Sequence, residues 1–134
     1  MANALYQKWK EQLLQFTTNN NLSAGTVKVA LIDTDVYTYS ATDQFFSAVS
    51  SAVVGTPQTL GTKTFVNGVF DAADVSYTSV TGSSVEALVI YIDTGVAGTS
   101  PLVGYIDTGV TGLPVTPNGG NIAITWNATG IFAL

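Results

Sequence analysis

A chain of 134 residues with no linker or shift in composition is expected to be one domain around one core. It is 46% hydrophobic and only 10% charged, against about 25% charged in ordinary globular domains, so its surface is rich in Thr, Ser, Asn and Gly or is covered by partner subunits. The net charge is −5, and arginine, histidine and cysteine are all missing, which removes the usual bidentate phosphate ligand, the commonest general base and every disulfide or thiolate site.

Nucleic-acid binding is therefore not expected, because phosphate contacts dominate that affinity. No apolar run reaches the roughly 18 residues of a membrane span. The opening residues Met1–Tyr6 show no basic region followed by an apolar one, so no secretory signal is expected.

Residues 3–17 read as an amphipathic helix. Leu5, Trp9, Leu13 and Phe16 fall at spacings of four, four and three, and Leu14 widens the stripe. Such a face either caps the chain's own sheet or docks on another subunit. Thr17–Asn21 competes for backbone hydrogen bonds and ends the helix. Residues 1–20 are thus helix and linker, and 26–134 form a β body.

Thr26–Asp33 is the first strand, with Val27, Val29 and Leu31 alternating against Lys28 and Ala30. Thr42 and Asp43 mark the start of one short internal helix that turns Phe46 and Val49 inward. Ser50–Gly61 reads as loop or edge strand, since it holds Gly55 and Pro57. Asn67-Gly68 between apolar residues is the strongest hairpin signal in the chain. Val75–Val80 alternates as a half-buried strand. The run Ala87–Ile92, apolar at nearly every position, fits a central strand covered on both faces. Pro101–Ile106 returns antiparallel to it across a Gly- and Pro-bearing loop. Ile122, Ile124 and Trp126 share one face of a later strand, and Ile131–Leu134 closes the sheet or is buried at an interface. The expected fold is mainly β: an antiparallel sandwich or barrel-like domain with an N-terminal α-helix and one short internal helix.

The hexapeptide Tyr-Ile-Asp-Thr-Gly-Val occurs at 91–96 and again at 105–110, with a weaker echo around Asp33. Asp33, Asp93 and Asp107 can be read as a calcium site, as a paired-carboxylate catalytic site, or as turn chemistry in which Asp takes local backbone bonds and Gly supplies positive φ. Turn chemistry is the expectation, because aspartic proteases need two lobes or a dimer while these copies sit 14 residues apart in one hairpin. Asp71 and Asp74 lack the oxygen-rich alternation of a calcium loop and read as a structural turn. Asn127-Ala128-Thr129 matches a glycosylation pattern by chance. Trp9 and Trp126 are core residues on the plainer reading and sugar-stacking platforms on the sharper one. No catalytic residue, metal or cofactor is expected.

Five blocks then carry a resemblance: Met1–Tyr6; Asp33–Tyr39 with Ala41–Phe45; Gly68–Val75; Glu86–Tyr91; and Thr111–Gly120. In this order, and nearly end to end, the chain resembles a family of small virion structural proteins of tailed bacteriophages, some of them similar to capsid decoration (cement) proteins. Gln15–Gly25 departs from the family pattern, in which a tryptophan-bearing segment enters the first strand. The resemblance implies a structural protein on the outer face of the head, bound to the major capsid protein. The alternatives are a tail or baseplate component and a carbohydrate-binding adhesion module with Trp or Tyr platforms.

Self-association as dimers or trimers is also expected, because few charges accompany many apolar residues. Leu5, Trp9 and Phe16 on the helix, and Ile131, Phe132 and Leu134 at the end of the chain, are the candidate contacts, since terminal segments reach a neighbour without disturbing the core. Trp9→Ala is then expected to weaken assembly more than it lowers the monomer's melting temperature.

Overall fold

The computed structural model describes residues 3–15 and 21–134. Ten strands occur in chain order: β1 (Ala4–Leu5), β2 (Thr26–Ile32), β3 (Val53–Thr59), β4 (Thr64–Val66), β5 (Val69–Asp71), β6 (Val75–Tyr77), β7 (Ala87–Asp93), β8 (Leu102–Ile106), β9 (Ile122–Ile124) and β10 (Phe132–Ala133). Among the described residues one α-helix, α1, spans Gln7–Gln15.

The strands form an antiparallel five-stranded sheet in the order β1-β8-β7-β2-β3, a three-stranded sheet β10-β5-β4 and a two-stranded sheet β6-β9. β2 and β7 lie at the centre and pair from Thr26↔Asp93 to Ile32↔Ala87. Every β7 residue from Ala87 to Ile92 is buried, which is why its sequence shows no alternation. β2 is buried more completely than its alternation suggests, because Ala30 and Ile32 are covered as well as Val27, Val29 and Leu31.

Pleating puts Ala30, Val89, Tyr91 and Tyr105 on one face of the large sheet, to judge from the register. The crossover after β2 covers that face: Phe46 stacks on Tyr91 at 3.9 Å, and Tyr39 meets Tyr105 at 5.3 Å. The small sheets cover the other side. From β6, the Tyr77 hydroxyl donates to the Val29 carbonyl at 2.9 Å, and from β10, Ile131 and Phe132 lie over Leu5, Gly104 and Ile106. Buried residues of all three sheets and of α1 belong to one hydrophobic cluster, in the manner of a β-sandwich.

Three expectations change in detail. Leu5 is a strand residue, paired with Gly104 in β8, so the helix begins at Gln7, four residues later than expected. The short internal helix is realised as two successive 3-10 turns, Phe46–Ala48 and Ser50–Ala52, with Phe45 rather than Thr42 at the start. The strand at Val75 ends at Tyr77, because Ser79 takes a left-handed φ of +50° that a strand cannot hold. Phe16 and residues 17–20 lie outside the described residues. Elsewhere the reading stands: β3 is an edge strand, β7 and β8 pair antiparallel, and Asn67-Gly68 turns β4 into β5 with φ of +54° and +77°. Positive φ at both turn residues is the requirement of the tight hairpin, met by Asn and Gly at least cost.

Candidate interaction surface

The helix α1 and the strand β10 meet. The Trp9 indole packs edge-on against the Phe132 ring at 5.8 Å. Phe132 in turn contacts Phe70 at 5.3 Å, and Phe70 stacks on Phe65 at 5.4 Å. Phe65, Phe70 and Phe132 are direct cross-strand neighbours in the three-stranded sheet and so share a face. The result is an aromatic ladder running from α1 across β10 and β5 to β4.

Burial is deep at Trp9 and Phe70, partial at Phe132 and lost at the β4 end. Trp9 is 1% exposed and Phe70 is 3%, whereas Phe65 is 46% exposed. Val66 beside it is 64% exposed, and Leu134, whose N–H donates to the Gly68 carbonyl at 3.0 Å, is 73% exposed. The β4–β5 turn therefore carries an apolar end made of Phe65, Val66 and Leu134.

The candidate contacts thus separate. Leu134 is available to a partner. Ile131, Phe132 and Leu5 are partly buried and line one groove between β10 and the β1–β8 edge, with a cavity volume of about 200 Å³. Trp9 is not available: its side chain is spent inside its own chain, and it cannot anchor a neighbour without leaving the core. The exposed apolar residue of α1 is Leu14 instead, at 89%. Trp126 is buried too, with its indole N–H donating to the Ala73 carbonyl at 3.1 Å, so neither tryptophan offers a ring face to a sugar.

The repeated carboxylates do not converge. In β7 and β8 they end antiparallel strands and so lie at opposite ends of the hairpin. Asp93 pairs across from Thr26, while Asp107 follows Ile106, whose partner Leu88 lies near the start of β7. Those ends are separated by five or so residues of strand, roughly 17 Å. Asp93 and Asp33 do local work. Asp93 Oδ1 accepts the Gly95 N–H at 2.9 Å and its Oδ2 meets Lys28 Nζ at 2.9 Å; these contacts hold its carboxyl below the usual carboxylate range, with the lysine the larger cause. Asp33 Oδ1 accepts the Asp35 N–H at 2.9 Å. Gly95 and Gly109 both take positive φ, as the turn reading requires. Asp71 Oδ1 accepts the neighbouring Ala72 N–H at 2.9 Å, whereas Asp74 Oδ1 accepts the backbone N–H of Trp126, 52 residues on, and so ties the start of β6 to the end of β9; Asn127 Oδ1 accepts from Thr129, which makes the Asn-Ala-Thr motif a turn element. Among the described residues no group of three Asp or Glu side chains is placed to hold a metal.

Two clusters have no local signature in the sequence. The Tyr6 hydroxyl bonds to that of Tyr37 at 2.9 Å, and Tyr37 donates to Asp43 Oδ2 at 2.8 Å. Burial pushes the Tyr6 phenol far up and that of Tyr37 up to about 12. Lys63 Nζ donates to the carbonyls of Leu22 at 2.7 Å and Gly25 at 2.8 Å, tying the loop before β2 to the strand β4.

No protein-family model matches the chain, and no curated protein is detectably similar to it.

Proposed function

We propose that this chain is a virion structural protein of a tailed bacteriophage, a decoration protein that binds the outer surface of the major capsid lattice and stabilises the head. The observation that carries the reading on the structural side is the exposed apolar end of the β4–β5 hairpin, where Phe65, Val66 and, bonded to Gly68 of the turn, Leu134 are all exposed. Singly exposed apolar residues need no explanation, but three at one end of one hairpin favour a contact surface. The resemblance of the ordered sequence blocks supplies the virion. A net charge of −5 without arginine suits the outside of a shell better than its DNA-facing side.

Stabilisation in this role follows from mass action. A protein that binds the assembled lattice and not its free subunits shifts the equilibrium toward the lattice in proportion to how far it saturates its sites. Cryo-electron microscopy of virions tests the reading directly. Density for the β domain over capsomer junctions, at a copy number on the scale of the lattice, is the expected result. Density confined to the tail, at a few copies per particle, overturns the decoration role in favour of a tail component. Specific retention on a glycan array without capsid density would point to adhesion.

A further inference from the structure

Edge strands carry unpaired N–H and C=O groups and are ordinarily guarded by charge, proline, bulges or brevity. β3, one edge of the large sheet, contains Pro57 and a break in register between Val29 and Leu31 of its partner. β1, the other edge, has two residues. β4 is guarded by its length of three residues alone, without charge, proline or bulge. Its residues Thr64, Phe65 and Val66 are all exposed, and none carries a charge. The nearest lysine, Lys63, turns its ammonium back to the carbonyls of Leu22 and Gly25.

The hairpin geometry fixes which groups β4 presents. With Asn67 and Gly68 as the turn, Val66↔Val69 is the hydrogen-bonded pair that closes it, and Phe65↔Phe70 is the next, non-hydrogen-bonded pair. The Phe65 N–H and C=O therefore point away from β5. Among the described residues, β4 pairs with β5 alone, and no turn, loop or cross-element backbone bond reaches either group.

We propose that β4 pairs antiparallel with β4 of a second copy, about a two-fold axis at Phe65. The occupant is argued from self-complementarity. One residue that presents both a donor and an acceptor at the edge exchanges both with its own copy across a two-fold axis, which is the isologous arrangement. That register sets Thr64 against Val66 and Lys63 against Asn67 of the copy, so no like charges meet. Residues directly opposite share a face, so Phe65 meets its equivalent and the aromatic ladder from Trp9 continues into the second molecule. Three residues of strand give a contact well below the roughly 1,200 Å² of a stable free complex. The pairing is therefore weak in dilute solution and is favoured by high local concentration, as on a lattice. It does not depend on the virion role.

Thr64 and Val66 of the copy would form a non-hydrogen-bonded pair, with Cα atoms about 4.5 Å apart. That separation suits a disulfide, and the chain has no cysteine of its own to interfere. The Thr64→Cys/Val66→Cys double variant, oxidised mildly at high protein concentration, is expected to yield several-fold more covalent dimer than either single variant. Equal yields from the double and single variants overturn the pairing. Should the double variant fail to fold, exchange of the Phe65 amide in the unaltered chain decides: protection that rises with protein concentration supports the pairing, and protection independent of concentration overturns it.

Discussion

Trp9 and Phe132 stand edge to face at 5.8 Å, and through them the helix near one end of the chain is packed on the strand at the other. The contact ties α1 and β10 to one hydrophobic cluster. Replacing Trp9 by Ala removes a fully buried indole and the ring contact together, which costs about 3–5 kcal/mol in typical cores. For a domain of this size that is a drop of roughly 10 °C or more in melting temperature. Calorimetry on the monomer is the check. This reverses the expectation drawn from the helical stripe, that Trp9→Ala would act on assembly rather than on the monomer. A variant with an unchanged melting temperature would return Trp9 to the surface.

The Tyr6–Tyr37–Asp43 chain makes stability depend on pH at the alkaline end. Burial is the main cause that raises both phenols. An acid whose folded pKa lies above its unfolded value contributes stability that is complete below the unfolded value and is lost as pH rises toward the folded one. For Tyr37 that window runs from about 10 to about 12. The protein is expected to lose stability through this range, with tyrosinate absorbance appearing together with loss of the circular-dichroism signal. Tyr37→Phe leaves the Asp43 side of the chain without its donor and costs about 1–3 kcal/mol at neutral pH, while weakening the alkaline transition. Ionisation of all tyrosines in a protein that stays folded would exclude this coupling.

Asp93 acts at the other end of the scale. Its folded pKa is depressed, first by Lys28 and then by the Gly95 N–H. Its contribution is therefore present above the unfolded carboxylate value, about 3.9, and is lost as pH falls through the depressed folded value. Both side chains retain partial exposure, so the pair is worth no more than about 1 kcal/mol. Asp93→Asn should flatten the acid limb of a stability–pH curve slightly and leave neutral stability lower by about that amount. An acid limb identical to that of the unaltered chain would show that Asp93 is not coupled to folding.

How far the chain could be read in advance depended on whether the signal was local. Ala87–Ile92 is legible because an unbroken apolar run of strand length has one economical home, the middle of a covered sheet. Asn67-Gly68 is legible because few other residues accept positive φ at both positions. Leu5 is not: it fits the helical spacing of Trp9 and Leu13, and only its pairing with Gly104 makes it a strand residue. An apolar helix face looks the same whether it packs on its own sheet or on a neighbour, so the stripe leaves Trp9 open between core and contact, and only its burial decides for core. Tyr6, Tyr37 and Asp43 come from two separate stretches that no spacing rule joins. The apolar end at Phe65 was missed for a topological reason. The turn announces a hairpin, but which of its strands lies at the edge depends on where β10 docks.

The Lys63 tether supplies the last prediction. Its ammonium donates to two carbonyls of the Leu22–Gly25 loop while its own residue leads into β4. It thereby fixes the loop that enters β2 against the small sheet. Lys63→Met keeps most of the stem and removes the donors, so packing of the methylenes survives while two carbonyls lose a charged partner. Hydrogen bonds to charged groups are worth about 1.5–3 kcal/mol when buried. Partial exposure here brings the expected loss to about 1 kcal/mol, seen as a lower denaturant midpoint with an unchanged slope. Exchange of the Gly25 amide, bonded to the Asn21 carbonyl at 3.0 Å, should quicken in the same variant, because the turn it closes is no longer pinned from outside. Faster exchange confined to β4, with Gly25 unaffected, would mean that the lysine orders its own strand rather than the loop.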